Sequence, residues 1–264
     1  MCYIVCVTLP IFKSHFSIGK SILTLNEPKE SSDDSSDSVF DIAQQNNLDK
    51  VVLVEDSFMG FLQARKVCSL LSKQLIFGIR LDCCEDIKKL GDKSESKCNH
   101  KIILFPKNSE GCKDLNRIYT LVKTQHNGWL DLNILKSNWN EENLSLAIPF
   151  YDSFLFKNLT SFQSCFVNFS FTKPTFFVED NSLPFDSMIK DAVIKYCETN
   201  DYSMQQTQSI YYKDKKDFPA YLTYKLICGR NSFGGRELSL EKPNFDHLGS
   251  DQFCWESYME KAKL

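Results

Sequence analysis

The sequence lacks the features that identify several large classes of protein. No apolar run approaches the about 18 residues that are needed to cross a membrane, so we expect no membrane anchor. No positively charged leader precedes the short apolar start, so we expect no secretory signal. The formal net charge is −3, which gives no general attraction for nucleic acid. Contact with DNA would therefore have to come from a local patch.

Several motifs that carry chemistry are also absent. No G-x-G-x-x-G follows a predicted strand, and neither G-x-x-x-x-G-K-[ST] nor G-x-S-x-G occurs. The near match Gly229–Gly235 follows a predicted helix and is interpreted as a loop. The 11 cysteines are scattered, and the adjacent pair Cys83-Cys84 has no C-x-x-C partner, so zinc binding there is disfavoured. Free thiols in a cytoplasmic protein are the expectation.

The most informative stretch is Lys50–Cys84, which predicts a strand, a helix and a second strand. Val51–Val54 is a continuous apolar run, typical of a strand that is buried on both faces of a parallel sheet. Apolar residues then recur at helical spacing from Phe61 to Leu71, and Leu75–Leu81 predicts the next strand. Functional groups of such units lie at the carboxyl ends of the strands. Glu55 and Asp56 occupy that position.

The rest of the chain continues this alternation within one predicted domain, residues 1–264. Further strands are predicted at Cys2–Leu9 (ended by Pro10), His100–Pro106, Leu144–Phe150, Pro174–Glu179 and Ser203–Tyr212. About seven strands alternating with helices favour either a parallel barrel or an open doubly wound sheet. The acidic segment Pro28–Ser38 has no large apolar residue and is predicted to be a disordered, dispensable insertion. The tail, residues 229–264, is predicted to be rich in turns.

The order of segments resembles the PHP (polymerase and histidinol phosphatase) domain of bacterial DNA polymerase III alpha subunits. The family's opening H-x-H-S pattern falls on Ile11–Ser17, and its second strand with the following helix matches Leu53–Lys66. Leu75–Leu81 matches the next strand, and His100–Gly111 (HKIILFPKNSEG) matches a histidine-led strand with its turn. The resemblance implies a distorted seven-stranded (β/α)7 TIM-like barrel.

Active relatives are metal-dependent phosphoesterases, and this chain departs from their ligand pattern. His100 keeps its residue type, and Glu55 and Asp56 replace an aspartate–histidine pair. The other positions implied by the resemblance have lost their ligands: Ile11, Lys13, Lys20, Arg80, Phe150, Gln208 and Ile210. Cations at such positions would repel a metal ion, so no cofactor is expected.

Two arrangements of the remaining residues stay open. Glu55 and Asp56 could form ion pairs with Lys13 or Arg80. Alternatively, Glu55, Asp56 and His100 could hold one Zn²⁺ or Mn²⁺ at low occupancy. In either arrangement we expect Ile11, Lys13, Glu55, Asp56, Arg80 and His100 to converge at one end of the barrel.

The resemblance implies a scaffold in DNA replication. The expected function is a non-catalytic domain of a DNA polymerase III alpha-type, phage-like replicase in the cytoplasm. Its expected partners are a polymerase palm and fingers chain in trans and the proofreading exonuclease, with indirect DNA contact and no membrane. The alternative is a PHP phosphoesterase or 3′–5′ exonuclease with a rearranged metal site.

Overall fold

A computed structural model describes residues 4–28, 36–84, 86–87, 100–160, 165, 167–229 and 249–262. The strands are β1 (Ile4–Phe12), β2 (Lys50–Glu55), β3 (Gln74–Cys84), β4 (His100–Pro106), β5 (Trp129–Asp131), β6 (Leu144–Ile148), β7 (Thr175–Val178) and β8 (Ser203–Ile210). The α-helices are α1 (Val39–Gln45), α2 (Phe61–Leu70), α3 (Ser109–Gln125), α4 (Leu132–Ser137), α5 (Phe154–Thr160), α6 (Asp186–Asn200), α7 (Phe218–Gly229) and α8 (Trp255–Ala262). The fold is therefore mixed α/β.

The strands belong to one sheet whose order closes on itself. The order is β2-β1-β8-β7-β6-β4-β3-β5, and β2 also pairs with β3. Seven strands thus form a closed ring, with β5 added beside β3, which is compatible with the predicted barrel. The pairs β1–β2, β6–β7 and β7–β8 are parallel. Strand β4 is antiparallel to both β3 and β6, so a purely parallel arrangement is wrong at this strand.

The strand predictions were accurate where an apolar run is bounded by polar residues. Strand β4 has the predicted bounds, His100–Pro106. Strand β1 was predicted to end at Pro10 but continues to Phe12. Ile11 and Phe12 are buried and pair with β2, which outweighs the one backbone donor that a proline removes. The short strand β5 and the helix α8 were not predicted.

The chain divides into two compact units. Unit 1 comprises residues 1–7, 78–179 and 185–206, and unit 2 comprises residues 8–77, 180–184 and 207–264. In unit 1, a cluster of aromatic rings includes Phe154 and Tyr196, whose centroids are 5.3 Å apart. In unit 2, the rings of Phe12 and Trp255 stack at 5.8 Å. The single domain over residues 1–264 stays a prediction.

The predicted acidic insertion, Pro28–Ser38, is ordered at its carboxyl end. Ser38 is buried, its hydroxyl accepts a hydrogen bond from the Phe40 amide, and it caps the amino end of α1. Asp37 forms an ion pair with Lys213 at 3.3 Å. The prediction of disorder is therefore wrong for these two residues. Residues 29–35 lie outside the described part of the chain, as do residues 230–248 of the predicted tail.

Most cysteines whose side chains the structure describes follow the expectation of free thiols. Free thiols in the described residues belong to Cys68, Cys83, Cys84, Cys112, Cys197, Cys228 and Cys254. Cys165 is disulfide-bonded, so the prediction is wrong at this position.

Among the helices that the structure describes, none combines the length and the apolar character that a membrane span requires.

Candidate functional site

Lys13 and Asp56 meet just beyond the ends of two neighbouring parallel strands. The register pairs Ile11 with Val52 and Phe12 with Leu53, so the residues that follow each strand lie side by side. Lys13 Nζ lies 2.8 Å from Asp56 Oδ1. The lysine side chain is 4% exposed and the aspartate side chain 36%. This ion pair is one part of the predicted arrangement in which Glu55 and Asp56 pair with Lys13 or Arg80, and that part is confirmed.

Glu55 is held by hydroxyl and amide donors. Its Oε1 accepts a hydrogen bond from the Ser14 amide at 2.8 Å. Its other oxygen, Oε2, accepts a short hydrogen bond from the Ser17 hydroxyl. The Ser17 oxygen in turn accepts the amide N–H of Asp56 at 3.0 Å. Burial raises the pKa of Glu55, and the hydrogen bonds from Ser14 and Ser17 with the charge of Lys13 only partly oppose that rise.

The remaining predicted positions of unit 2 lie on β1, β8 and the turn after β1. Ile11 is buried in β1, and Ile210 ends β8 fully buried. The Lys13 amide donates to the Ile210 carbonyl at 3.2 Å, which joins the ends of these two strands. Lys20 is half-buried in the turn, where its amide donates to the Ser17 carbonyl at 2.9 Å.

Gln208 occupies a buried polar network that the sequence did not predict. Its side-chain nitrogen donates to Asn181 Oδ1 at 2.5 Å and to the Gln252 carbonyl at 2.7 Å. Its oxygen accepts from Lys261 Nζ at 2.8 Å. A lysine from α8 therefore supplies a second ammonium group at a predicted site position of unit 2.

Arg80 and Phe150 are placed in unit 1. Arg80 Nη2 lies 2.9 Å from Asp152 Oδ2, and both side chains are largely buried. Lys157 Nζ is 3.4 Å from the other oxygen of Asp152. Asp152 adopts a left-handed backbone conformation with φ of 63° in the turn after β6. The side chain of Phe150, another predicted position in unit 1, is buried, as is that of the neighbouring Tyr151. The partner Asp152 was not predicted.

His100 begins β4 as a buried imidazole. It is 2% exposed, and its ring lies edge-on to Phe154 with centroids 6.0 Å apart. Among the described residues, neither ring nitrogen has a hydrogen-bond partner. Burial lowers the pKa of His100 to about 4, although the charge of Asp82 opposes that shift. The imidazole is therefore neutral at physiological pH.

These residues do not fit a bound Zn²⁺ or Mn²⁺. A metal ion needs carboxylate oxygens and neutral imidazoles that converge on one point. Asp56 accepts the Lys13 ammonium, and both Glu55 oxygens accept hydrogen bonds from serine residues. Over the ranges that the structure describes, no group of three His, Cys, Asp or Glu residues could hold a metal ion. The convergence of Arg80 and His100 with the unit 2 residues stays a prediction.

The residues that sequence reasoning missed supply hydrogen bonds and counter-charges. Ser14 and Ser17 lie inside the motif-like segment Ile11–Ser17, so the hydroxyl-rich composition of that loop was an available signal. Asp152 and Lys261 carry no such signal, because they are distant in sequence from the residues that they contact.

No protein-family model matches the chain, and no curated protein sequence matches it.

Proposed function

We propose that this chain is a non-catalytic PHP-like module of a DNA polymerase III alpha-type replicase. It would act as a scaffold for the polymerase body, the proofreading exonuclease, or both, in the cytoplasm. The observation that carries the proposal is the ion pair between the buried Lys13 and the partly exposed Asp56. An ammonium group replaces the metal ion as the partner of the carboxylate.

The hydrogen bonds around Glu55 support the same proposal. Its two oxygens accept hydrogen bonds from Ser14 and Ser17, so the carboxylate is satisfied by the protein itself. Arg80 and Asp152 form a further largely buried ion pair at another position where the resemblance implies a lost ligand. The residues around Glu55 and the Arg80–Asp152 pair do not offer the set of ligands that a metal ion needs in order to activate a water molecule.

The proposed fold is the distorted (β/α)7 barrel of PHP domains. The parallel pairs β1–β2, β6–β7 and β7–β8 and the closed strand order support it. The antiparallel strand β4 is a departure from the simple alternation of strands and helices. The proposed partner is a polymerase palm and fingers chain in trans, and DNA contact is indirect.

Two measurements test this proposal. The first is co-elution of the purified chain with the polymerase chain encoded in the same genome, and we expect a stable complex. The second is turnover of nucleotide esters and single-stranded DNA in Mn²⁺ and in Zn²⁺, and we expect none. Turnover that Glu55→Ala or His100→Ala abolishes would instead support the rival phosphoesterase or exonuclease. Failure to bind that polymerase chain would contradict the scaffold role.

A further inference from the structure

Helix α2 of unit 2 presents a solvent face that combines apolar and cationic side chains. The helix buries Ala64 and Val67. On the opposite side, Leu62 and Leu70 are 75% and 61% exposed. Leu62, Lys66 and Leu70 are spaced by four residues, so they follow one another along the same side of the helix. We call the exposed residues Leu62, Arg65, Lys66 and Leu70 the α2 row.

An apolar residue extends this surface at its amino end. Met59, which precedes the helix, is 66% exposed. Soluble proteins expose single apolar side chains commonly, but a set that lines one face of a helix indicates a contact surface. Leu62 and Leu70 lie on α2, and Met59 lies three positions before Leu62 in the turn that leads into the helix.

The cations of the α2 row are available to a partner. In the part of the chain that the structure describes, Arg65 is exposed and has no carboxylate within ion-pair distance. Lys66 Nζ lies 3.1 Å from Glu27, but these side chains are 70% and 39% exposed. Water screens such a pair, so Lys66 can exchange Glu27 for another carboxylate at little cost.

We propose that the α2 row docks an amphipathic helix of a partner protein that carries a carboxylate between two apolar side chains. The apolar side chains would cover Leu62 and Leu70, which are about 12 Å apart along the helix axis. The carboxylate would face Arg65 and Lys66. A helix fits because its own side chains recur at this spacing and pack into the grooves of a neighbouring helix. This inference rests on the proposed scaffold function and names the surface that holds the partner.

The charge of the row argues against two other occupants. A second copy packed face to face would set Arg65 and Lys66 against like charges. A nucleic acid backbone would pair with the cations but leave Leu62 and Leu70 uncovered. A partner with one acid flanked by apolar residues satisfies both features of the surface.

Binding of two synthetic helical peptides to the full chain tests the inference. Both peptides carry fluorescein and the pattern Leu-x-x-x-Glu-x-x-x-Leu on one face, but the second has Lys in place of Glu. By fluorescence anisotropy, we expect the Glu peptide to bind with a Kd below about 100 μM. The Lys peptide should bind at least about tenfold more weakly, because its charge faces Arg65 and Lys66.

Variants assign the binding to the α2 row. Leu62→Ser and Leu70→Ser should each weaken binding of the Glu peptide by about tenfold or more, and Arg65→Ala by about fivefold. Ile227→Ser is the matched control, because Ile227 is similarly exposed at 62% in the same unit but lies on α7. It should leave binding unchanged. Circular dichroism of each variant verifies that it is folded.

Other results would overturn the inference. These are no saturable binding, equal binding of the two peptides, or loss of binding in Ile227→Ser alone. A dimer of the free chain in sedimentation that Leu62→Ser abolishes would assign the surface to a second copy. Failure here differs from failure of the proposed function, since the peptide experiment measures neither metal nor turnover. If the chain binds the peptide and also hydrolyses DNA, the proposed docking surface is supported and the proposed non-catalytic function is contradicted.

Discussion

Lys13 Nζ and Asp56 Oδ1 are 2.8 Å apart although the residues are 43 positions apart in sequence. The lysine side chain is almost completely buried, at 4% exposure. A buried ammonium group requires a counter-charge, and Asp56 supplies one. The pair therefore links the loop after β1 to the end of β2 and gives Asp56 a structural role.

The first prediction concerns the loss of this ion pair. Lys13→Ala leaves Asp56 without this cation and opens a small cavity. Because Asp56 is partly exposed, we expect a loss of about 1–3 kcal/mol in the free energy of unfolding. Urea denaturation at pH 7 measures it. The control Lys66→Ala, which removes an exposed ion pair, should cost less than about 1 kcal/mol. Equal losses in the two variants would show that burial of Lys13 is unimportant.

The second prediction concerns the protonation of Glu55. Burial raises its folded pKa above the ordinary value of 4.5, so the folded state holds this proton more tightly than the unfolded state. Stability from this group is present below pH 4.5 and is lost as the pH rises through the folded pKa. Glu55→Gln mimics the protonated form. Its free energy of unfolding, relative to the wild type, should therefore be higher at pH 8 than at pH 4.

The same measurement has a clear contrary result. If the difference between Glu55→Gln and the wild type does not change with pH, the folded pKa of Glu55 is not raised. The variant Glu27→Gln is a suitable control, because the Glu27 side chain is 39% exposed and pairs with the exposed Lys66. Its stability relative to the wild type should vary little over this range.

The third prediction concerns the neutral imidazole of His100. Its pKa falls from 6.5 to about 4 on folding, because burial disfavours the charged form. The unfolded state therefore binds the proton first, and the stability present above pH 6.5 is lost as the pH falls toward 4. This loss amounts to roughly 3 kcal/mol. His100→Phe should remove that pH dependence, which denaturation at pH 7 and pH 4.5 measures. The control is His126→Phe, at a half-buried position, which should keep the wild-type dependence because His100 is intact in it.

The fourth prediction concerns a close approach of α3 to the chain before β6. A Cβ atom on Gly111 would lie 2.1 Å from the Asn143 carbonyl oxygen, and this backbone cannot move as a flexible side chain could. Gly111→Ala should therefore destabilise the protein by about 2 kcal/mol or more, despite the helix propensity of alanine. Thermal unfolding checks it. Lys113→Ala, at an exposed position of the same helix, should change stability by less than about 0.5 kcal/mol.

The fold was predicted well where local pattern determines structure. The apolar run Val51–Val54 and the helical spacing after Phe61 gave β2 and α2, which match the observed bounds closely. The antiparallel placement of β4 has no local signature, because strand direction depends on the connection and not on the residues of the strand. Strand β5 has three residues, too few for a periodic pattern.

The candidate site was predicted in part for a similar reason. The cation at Lys13 was visible in the sequence, and with the acids after β2 it suggested the observed ion pair. The pairing of Arg80 with Asp152 and of Gln208 with Lys261 depends on long-range packing. Residue types alone do not reveal such partners.

Metal content of the purified chain tests most directly whether Lys13 has replaced a metal ion as the partner of Asp56. The chain is equilibrated with Zn²⁺ or Mn²⁺, passed through a desalting column and analysed by inductively coupled plasma mass spectrometry. Lys13 and the serine donors occupy the carboxylates, so we predict less than about 0.1 ion per chain, unchanged in Glu55→Ala. About one ion or more per chain, lost in Glu55→Ala or in His100→Ala, would contradict the account.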